Sequence, residues 1–190
     1  MNKLKTLMIV ATAMLLTNVS FAQMKHKATE KTVMVGGAAM YPSKDIVTNA
    51  ANSKDHTTLV AAVKAAGLVE TLQSAGPFTV FAPTNEAFKK LPEGTVTTLL
   101  KAENKAMLAG ILTYHVVAGK VSAADLKKLI KEGKGKAVLT TVAGGTLTAS
   151  IKGKKVALTD EKGGVAYVTI ANVNQSNGVI HVIDHVLLPK

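Results

Sequence analysis

The chain has 190 residues, no cysteine, and 23 basic against 12 acidic residues, which gives a formal net charge of +11 at pH 7. This length suits one domain with its own core, and without cysteine that core must hold the fold without disulfides. Every basic residue is a lysine, and aromatic residues make up only 4% of the chain. Because reading of base edges favours arginine and single-strand binding needs aromatic platforms, we expect no specific nucleic-acid partner.

The first 22 residues have the order of a secretion signal. Lys3 and Lys5 precede the apolar run of residues 6–19, and Ser20-Phe21-Ala22 places small residues at the two positions that a signal peptidase reads. The apolar run is shorter than the ~20 residues needed to span a bilayer. We therefore predict cleavage before Gln23, no transmembrane segment in the mature chain, and a secreted or periplasmic protein.

The segment after this signal changes from polar to apolar. Residues 23–41 are basic at first and then small and apolar, which predicts a tether leading into a domain at residues 42–189. Helix-spaced apolar residues follow at 58–66, with Gly67 placed for a left-handed stop. Further helices are predicted at residues 95–101 and 104–112, and from a capping-box-like start at Ser122 to Ile130.

Strand signals begin at residues 78–82, and Thr84 then stands in position to cap the next helix. The last part of the chain is rich in Val, Thr and Ile, with glycines that suit hairpin turns between predicted strands at 137–142, 146–151, 155–159, 165–172 and 178–188. Because helices come first and antiparallel strands follow, we predict an α+β domain without parallel crossover units, which the early strand joins.

Three segments together resemble the signatures of the fasciclin-like (FAS1) domain family. They are GPFTVFAPTNEAF at residues 76–88, the pair Tyr114-His115, and NGVIHVID at residues 177–184. They occur in the family's order, and the resemblance covers residues 42–189. It implies a wedge of mainly antiparallel β-strands with several short helices packed on one side, in an exported single-domain bacterial member. It also implies an extracellular adhesion or binding module without enzyme activity, whose structural signature positions are Thr84, Asn85, His181 and Asp184.

Two histidines, His181 and His185, stand four residues apart in the apolar run that ends the chain. On a strand this spacing corresponds to about 13 Å, which is too far for one zinc ion. The two-histidine zinc motif also needs a helix and a glutamate between the histidines, whereas this β-branched run carries Asp184. We predict no metal site, a hydrogen-bonded core position for His181, and a position near the sheet's end for His185.

Sequence patterns of catalysis are missing from the chain. It has no Gly-x-Ser-x-Gly elbow, no cysteine nucleophile and no phosphate loop, and its acidic residues are scattered singly apart from Asp160-Glu161. We therefore predict no catalytic residues, no cofactor and no enzyme activity.

The pair Tyr114-His115 has two interpretations. By resemblance, it belongs to a region implicated in partner or integrin contact in animal relatives. The structural interpretation packs the Tyr114 ring in the core and lets His115 brace the loop beside Thr84 and Asn85. Some animal relatives also carry an Asp-Ile pair linked to integrin binding, and Asn172-Val173 replaces it here, so integrin recognition is not expected.

The lysines suggest a second possible contact. Lys127, Lys128, Lys131 and Lys134 fall on or just after one predicted helix and can form a single patch for an anionic polysaccharide or membrane surface. The competing interpretation is that they only keep the domain soluble.

We expect an exported, non-enzymatic adhesion or surface-interaction module that binds protein or anionic polymer partners. The alternative is a carrier of a small apolar ligand, such as a carotenoid or lipid, held between helices and sheet.

Overall fold

A computed structural model describes residues 30–190, so the predicted signal at residues 1–22 lies outside the described part of the chain. The helices there are α1 Ile46–Asn52, α2 Thr57–Ala66, α3 Val69–Gln73, α4 Asn85–Lys89, α5 Thr95–Leu99, α6 Lys105–Tyr114 and α7 Ala123–Glu132. The strands are β1 Val33–Val35, β2 Ala38–Met40, β3 Phe78–Pro83, β4 Val116–Ala118, β5 Lys136–Thr140, β6 Thr146–Lys152, β7 Lys155–Thr159, β8 Val165–Gln175 and β9 Gly178–Ile183. Among residues 30–190, no helix is long and apolar enough to cross a membrane.

The main sheet has seven strands in the order β4-β3-β9-β8-β7-β6-β5. Its two edge strands almost meet, because the N–H of Val142 donates to the carbonyl of Val116 at 2.8 Å and Val117 bridges to Thr141. The sheet therefore curls toward a closed barrel, which leaves little unpaired edge. This architecture confirms the predicted α+β wedge of mainly antiparallel strands with short helices.

One pairing departs from the prediction of a domain without parallel units. Strand β3 pairs with β9 in parallel, whereas the other neighbouring strands of the sheet are antiparallel. The chain passes through α4 to α7 and the later strands before it returns to β3. A pairing between such distant segments leaves no local trace in the sequence, so the hairpin signals alone suggested antiparallel neighbours.

The sheet separates two apolar clusters, and β3 and β9 contribute to both. Val80 and Ile180 face the first cluster, which α1, α2 and α6 cover, whereas Phe81 and Ile183 face the second cluster inside the curved sheet. Helix α7 packs into this second cluster, so the helices do not all lie on one side as predicted. Every residue of β9 is buried, so this strand is covered on both faces.

The predicted tether at residues 23–41 is wrong in its second half. Strands β1 and β2 form a hairpin whose Val35 and Met40 are each 1% exposed and belong to the first cluster. Gly36 and Gly37 make its turn with φ of 57° and 76°, which glycine adopts without strain. Two strands this short are below the length at which alternation is recognisable in a sequence, so the apolar stretch looked like a linker.

The last strand also ends earlier than the predicted 178–188. After Ile183, the carboxylate of Asp184 accepts the N–H of Tyr167 at 2.7 Å and so takes a bond that the ladder would have used. The chain then crosses the open end of the curved sheet, where Leu187 is fully buried in the second cluster. The N–H of Leu188 donates to Asp160 at 2.9 Å, which fixes this closing segment.

The turn before β9 is held by the side chain of Asn177. Its Oδ1 accepts the N–H of Ile46 at 3.1 Å, and its Nδ2 donates to the carbonyls of Leu72 at 2.8 Å and Ser74 at 3.0 Å. One buried amide thereby satisfies backbone groups at the start of α1 and the end of α3. Glycine is also required at the next position, Gly178, because a Cβ there would collide with the backbone of Phe78.

Replacing this amide should be costly. We expect Asn177→Ala to lower the free energy of unfolding by about 2–3 kcal/mol, because three backbone groups lose their partner. Asn174→Ala is the matched control, since Asn174 is exposed and its side chain donates to the carbonyl of Asn172 in the same strand at 3.2 Å. Urea unfolding should give an unchanged midpoint for the control and a clearly lower one for Asn177→Ala. Equal midpoints would contradict the role of Asn177.

Candidate functional site

The side chain of Tyr114, the last residue of α6, lies inside the curved sheet with 0% exposure. Its hydroxyl donates to the carbonyl of Thr146 at 2.7 Å and accepts the N–H of Glu161 at 3.2 Å. Burial raises the pKa of the Tyr114 hydroxyl. The residue joins α6 to the beginning of β6 and to the turn after β7, so it serves the core.

His115 follows directly and is 2% exposed. Its Nδ1 lies 2.8 Å from the carbonyl of Ile111, and its Nε2 accepts the N–H of Leu187 at 3.0 Å, which places the proton of the neutral ring on Nδ1. Burial lowers the pKa of His115 to about 4. The ring therefore ties α6 to the closing segment rather than to the predicted loop beside Thr84 and Asn85.

The burial of both side chains favours the structural interpretation of Tyr114 and His115 over the interpretation that they contact a partner. A partner approaching the folded domain reaches neither the phenol nor the imidazole, and all the hydrogen bonds of these side chains lead to backbone of the same chain. The sequence showed an aromatic residue and a histidine at the end of a helix, and only the surrounding structure shows that both point inward.

Thr84 and Asn85 hold the beginning of α4. As predicted, Thr84 caps this helix, with its hydroxyl oxygen accepting the N–H of Ala87 at 3.2 Å. Asn85 accepts the N–H of Thr58 at 3.0 Å and donates to the carbonyl of Lys54 at 2.8 Å, which binds α4 to the beginning of α2. Both residues are structural.

His181 lies in β9 with no exposed surface, as predicted for a core histidine. Its Nε2 is 2.9 Å from the carbonyl of Val121, its Nδ1 accepts the N–H of Asn172 at 3.4 Å, and its ring stacks on Phe81 at 5.7 Å between centroids. Burial lowers the pKa of His181. His185 instead pairs with Asp184 at 2.8 Å near the surface. Among residues 30–190, no three His, Cys, Asp or Glu side chains cluster as metal ligands would.

A third buried histidine, His56, was not singled out from the sequence. Its Nδ1 lies 2.9 Å from the hydroxyl of Ser53, and its Nε2 has no hydrogen-bond partner among residues 30–190. Burial lowers the pKa of His56. A histidine in the polar stretch before α2 gave no sign of burial, because the β1–β2 hairpin and β3 that cover it are distant in sequence.

The first cluster contains small apolar cavities. Three of them measure about 30, 20 and 30 Å³ and share lining residues such as Leu59, Leu72 and Val80. Each is close to the size of a single water molecule. A carotenoid or lipid held between helices and sheet would therefore require α1, α2 or α6 to move away from the sheet.

The four predicted contact lysines are partly brought together. Lys127, Lys128 and Lys131 lie exposed on α7, opposite the buried Leu126 and Ile130. Lys128 has Glu132 at 3.9 Å. Lys134 lies past the end of α7 in a left-handed conformation with φ of 53°, so it leaves the helical stripe that the sequence predicted.

Comparison with known proteins adds to these observations. The sequence model of the fasciclin domain matches residues 54–189. Protein sll1483 of Synechocystis is 49% identical over 168 residues, which are 88% of this chain and 86% of that protein. Immunogenic protein MPB70 of Mycobacterium bovis is 39% identical over 145 residues, which are 74% of this chain and 66% of that protein. The FAS1 domain pair of the insect cell adhesion molecule Fasciclin I shares the fold, with a TM-score of 0.69 and 20% identity over 78% of this chain and 52% of that chain.

The buried histidines predict a stability that depends on pH. The pKa of His115 is about 4 in the folded state against 6.5 ordinarily, so the unfolded chain takes up the proton first as pH falls. The contribution of the neutral His115 ring to the free energy of unfolding is complete above pH 6.5. It decreases as pH falls below 6.5 and is lost near pH 4. His56 and His181 act in the same direction, because burial lowers their pKa values too.

Urea unfolding between pH 4 and pH 6.5 measures how the free energy of unfolding depends on His115. We expect His115→Gln, whose amide oxygen can accept the N–H of Leu187, to be less stable at neutral pH. Its free energy of unfolding should also depend less on pH below 6.5, by up to ~1.4 kcal/mol per pH unit. A variant whose pH profile runs parallel to that of the wild type would show that His115 does not titrate in this way.

Proposed function

The chain belongs to the fasciclin domain family, and we propose that it is an exported, non-enzymatic adhesion or surface-interaction module that binds protein or anionic polymer partners. The observation that carries this proposal is the division between core and surface. The family's signature side chains Tyr114, His115 and His181 are buried, so recognition falls to the exposed surface, which is rich in lysine.

Charge supports an anionic partner. Loss of residues 1–22 removes Lys3 and Lys5 from a chain of net charge +11, which leaves +9. A surface of this sign attracts anionic polymers and membranes over a distance of about 8 Å at physiological ionic strength. Fasciclin I, one solved structure that shares the fold, is described as a cell adhesion molecule, and adhesion relies on an exposed binding surface rather than on a catalytic centre.

A carrier of a carotenoid or lipid has less support, because the apolar cavities each hold about one water molecule. Purification of the exported protein from its native host distinguishes the surface-interaction module from the carrier. We expect an intact mass that corresponds to a chain starting at Gln23, no visible absorption band, and a polysaccharide or protein that co-purifies. Exported material that still carries Met1 through Ala22 would contradict the export signal, and a stoichiometric chromophore or lipid would favour the carrier.

Binding to anionic polymers can be measured directly. We expect the mature protein to bind an immobilised acidic polysaccharide, and the affinity to fall steeply with salt, because exposed charges are screened. A neutral polysaccharide of similar length is the matched ligand control and should retain little protein. Equal retention on both polymers, or retention that does not change with salt, would contradict charge-driven binding.

A further inference from the structure

Two Lys-Gly-Lys sequences lie at the same end of the curved sheet. Lys134-Gly135-Lys136 leads into β5, and Lys152-Gly153-Lys154 forms the turn between β6 and β7. The antiparallel pairing of β5 with β6 places the beginning of one strand beside the end of the other, with Lys136 opposite Ser150. Segments that are separate in the sequence thus form one basic surface.

Two lysines of these sequences and Lys155, which directly follows the second sequence, share one face of the sheet. Lys152 is paired with Lys155, and paired residues in an antiparallel ladder point to the same side. Ser150 and Lys152 are two apart on β6, so Lys136 also points to that side. Adjacent strands are about 5 Å apart and residues rise about 3.3 Å along a strand, so the three side chains start within about 5–12 Å of one another. We call Lys136, Lys152 and Lys155 the sheet lysines.

This arrangement opposes the stability of the sheet. Like charges directly opposite on neighbouring strands are destabilising, and Lys152 faces Lys155. No ion pair formed within residues 30–190 includes a sheet lysine, because the lysine pairs there involve Lys89, Lys101 and Lys128. Solubility does not require two lysines to lie directly opposite each other on neighbouring strands. An anionic ligand lying across the strands would compensate them.

The side chains around the sheet lysines suit a carbohydrate. On the same face, Ser150 pairs with Lys136, Thr148 pairs with Thr159, and the half-buried ring of Tyr167 lies on β8. Hydroxyl groups exchange hydrogen bonds with sugar hydroxyls, and an aromatic ring offers an apolar surface with a polar tip.

A membrane surface fits this face less well. Insertion between lipid headgroups needs large apolar side chains, and the strongly exposed apolar residue of this face is a valine, Val138, at 68%. Specific nucleic-acid binding is disfavoured by the lack of arginine.

We propose that the sheet lysines bind a linear polysaccharide that carries carboxylate groups. This inference rests on the proposed binding of anionic polymers and names both the place and the class of polymer. The carboxylates pair with Lys136, Lys152 and Lys155, and the sugar rings lie along the hydroxyl-bearing strands β6 and β7.

The chain offers a matched control for this site. Lys127, Lys128 and Lys131 are exposed on α7, which packs inside the curve of the sheet, on the opposite side of β5 to β7 from the sheet lysines. The variant K136Q/K152Q/K155Q and the variant K127Q/K128Q/K131Q each remove three charges, so their net charges are equal. Binding of the mature wild type and both variants to polygalacturonate is measured at low ionic strength, where screening is weakest.

We expect the sheet variant to bind about tenfold more weakly than the wild type, the sum expected for three exposed ion pairs, and the helix variant to change less than twofold. Thermal unfolding separates this loss from misfolding, because relief of the repulsion between Lys152 and Lys155 should keep or raise the Tm of the sheet variant. The single variant K155E, which turns the like-charge pair into an opposite-charge pair, should raise the Tm and weaken binding.

Four results would overturn the proposal. Equal weakening by both triple variants would mean that net charge alone drives binding, and weakening by the helix variant alone would place the contact on α7. In both cases binding of anionic polymers stands and only its place is wrong. Wild-type binding to anionic vesicles but not to polygalacturonate would assign the surface to lipid. If the wild type bound no anionic polymer or vesicle, the polymer part of the proposed function would fail as well.

Discussion

Strand β9 is buried on both faces and lies between β3, its parallel neighbour, and β8, its antiparallel neighbour. Both apolar clusters depend on this position, since Ile180 packs toward α1 and α2 while Ile183 packs inside the curved sheet. The backbone approaches closely at the start of this pairing, where Gly178 meets Phe78. The amide of Asn177 then joins the same point to α1 and α3, so one short segment connects the two halves of the domain.

The buried polar side chains extend this connection to the chain's end. His115 accepts the N–H of Leu187, Tyr114 bonds to the backbone at Thr146 and Glu161, and His181 bonds to the carbonyl of Val121. A buried backbone group without a partner is costly, so loops that cross a closed sheet need such side chains. The signature side chains Tyr114, His115 and His181 therefore serve the fold. Because the buried histidines must stay neutral, the stability of the fold depends on pH.

The function proposed above assigns recognition to the exterior, where charge is distributed unevenly. Lys128 has an acidic neighbour on α7, whereas Lys152 faces another lysine across two strands. A pair that repels in the free protein becomes favourable when an anion lies between its members, so the two surfaces differ in what they gain from a ligand. In the proposal made above, the sheet also offers hydroxyl groups to an extended polymer, and a surface built on hydrogen-bonded strands loses little conformational freedom when it binds.

Interactions between neighbouring residues allowed many helix ends and strands to be predicted from the sequence alone. The caps at Thr84 and Ser122, the left-handed stop at Gly67 and the strands between glycine turns need only neighbouring residues, and they formed as predicted. The tertiary structure decided the parallel pairing of β3 with β9, the entry of the β1–β2 hairpin into the core, the inward direction of Tyr114 and His115, and the meeting of the two Lys-Gly-Lys sequences. Each of these depends on a partner far away in the chain, and the free energy of such a contact exists only once the sheet has brought both segments together.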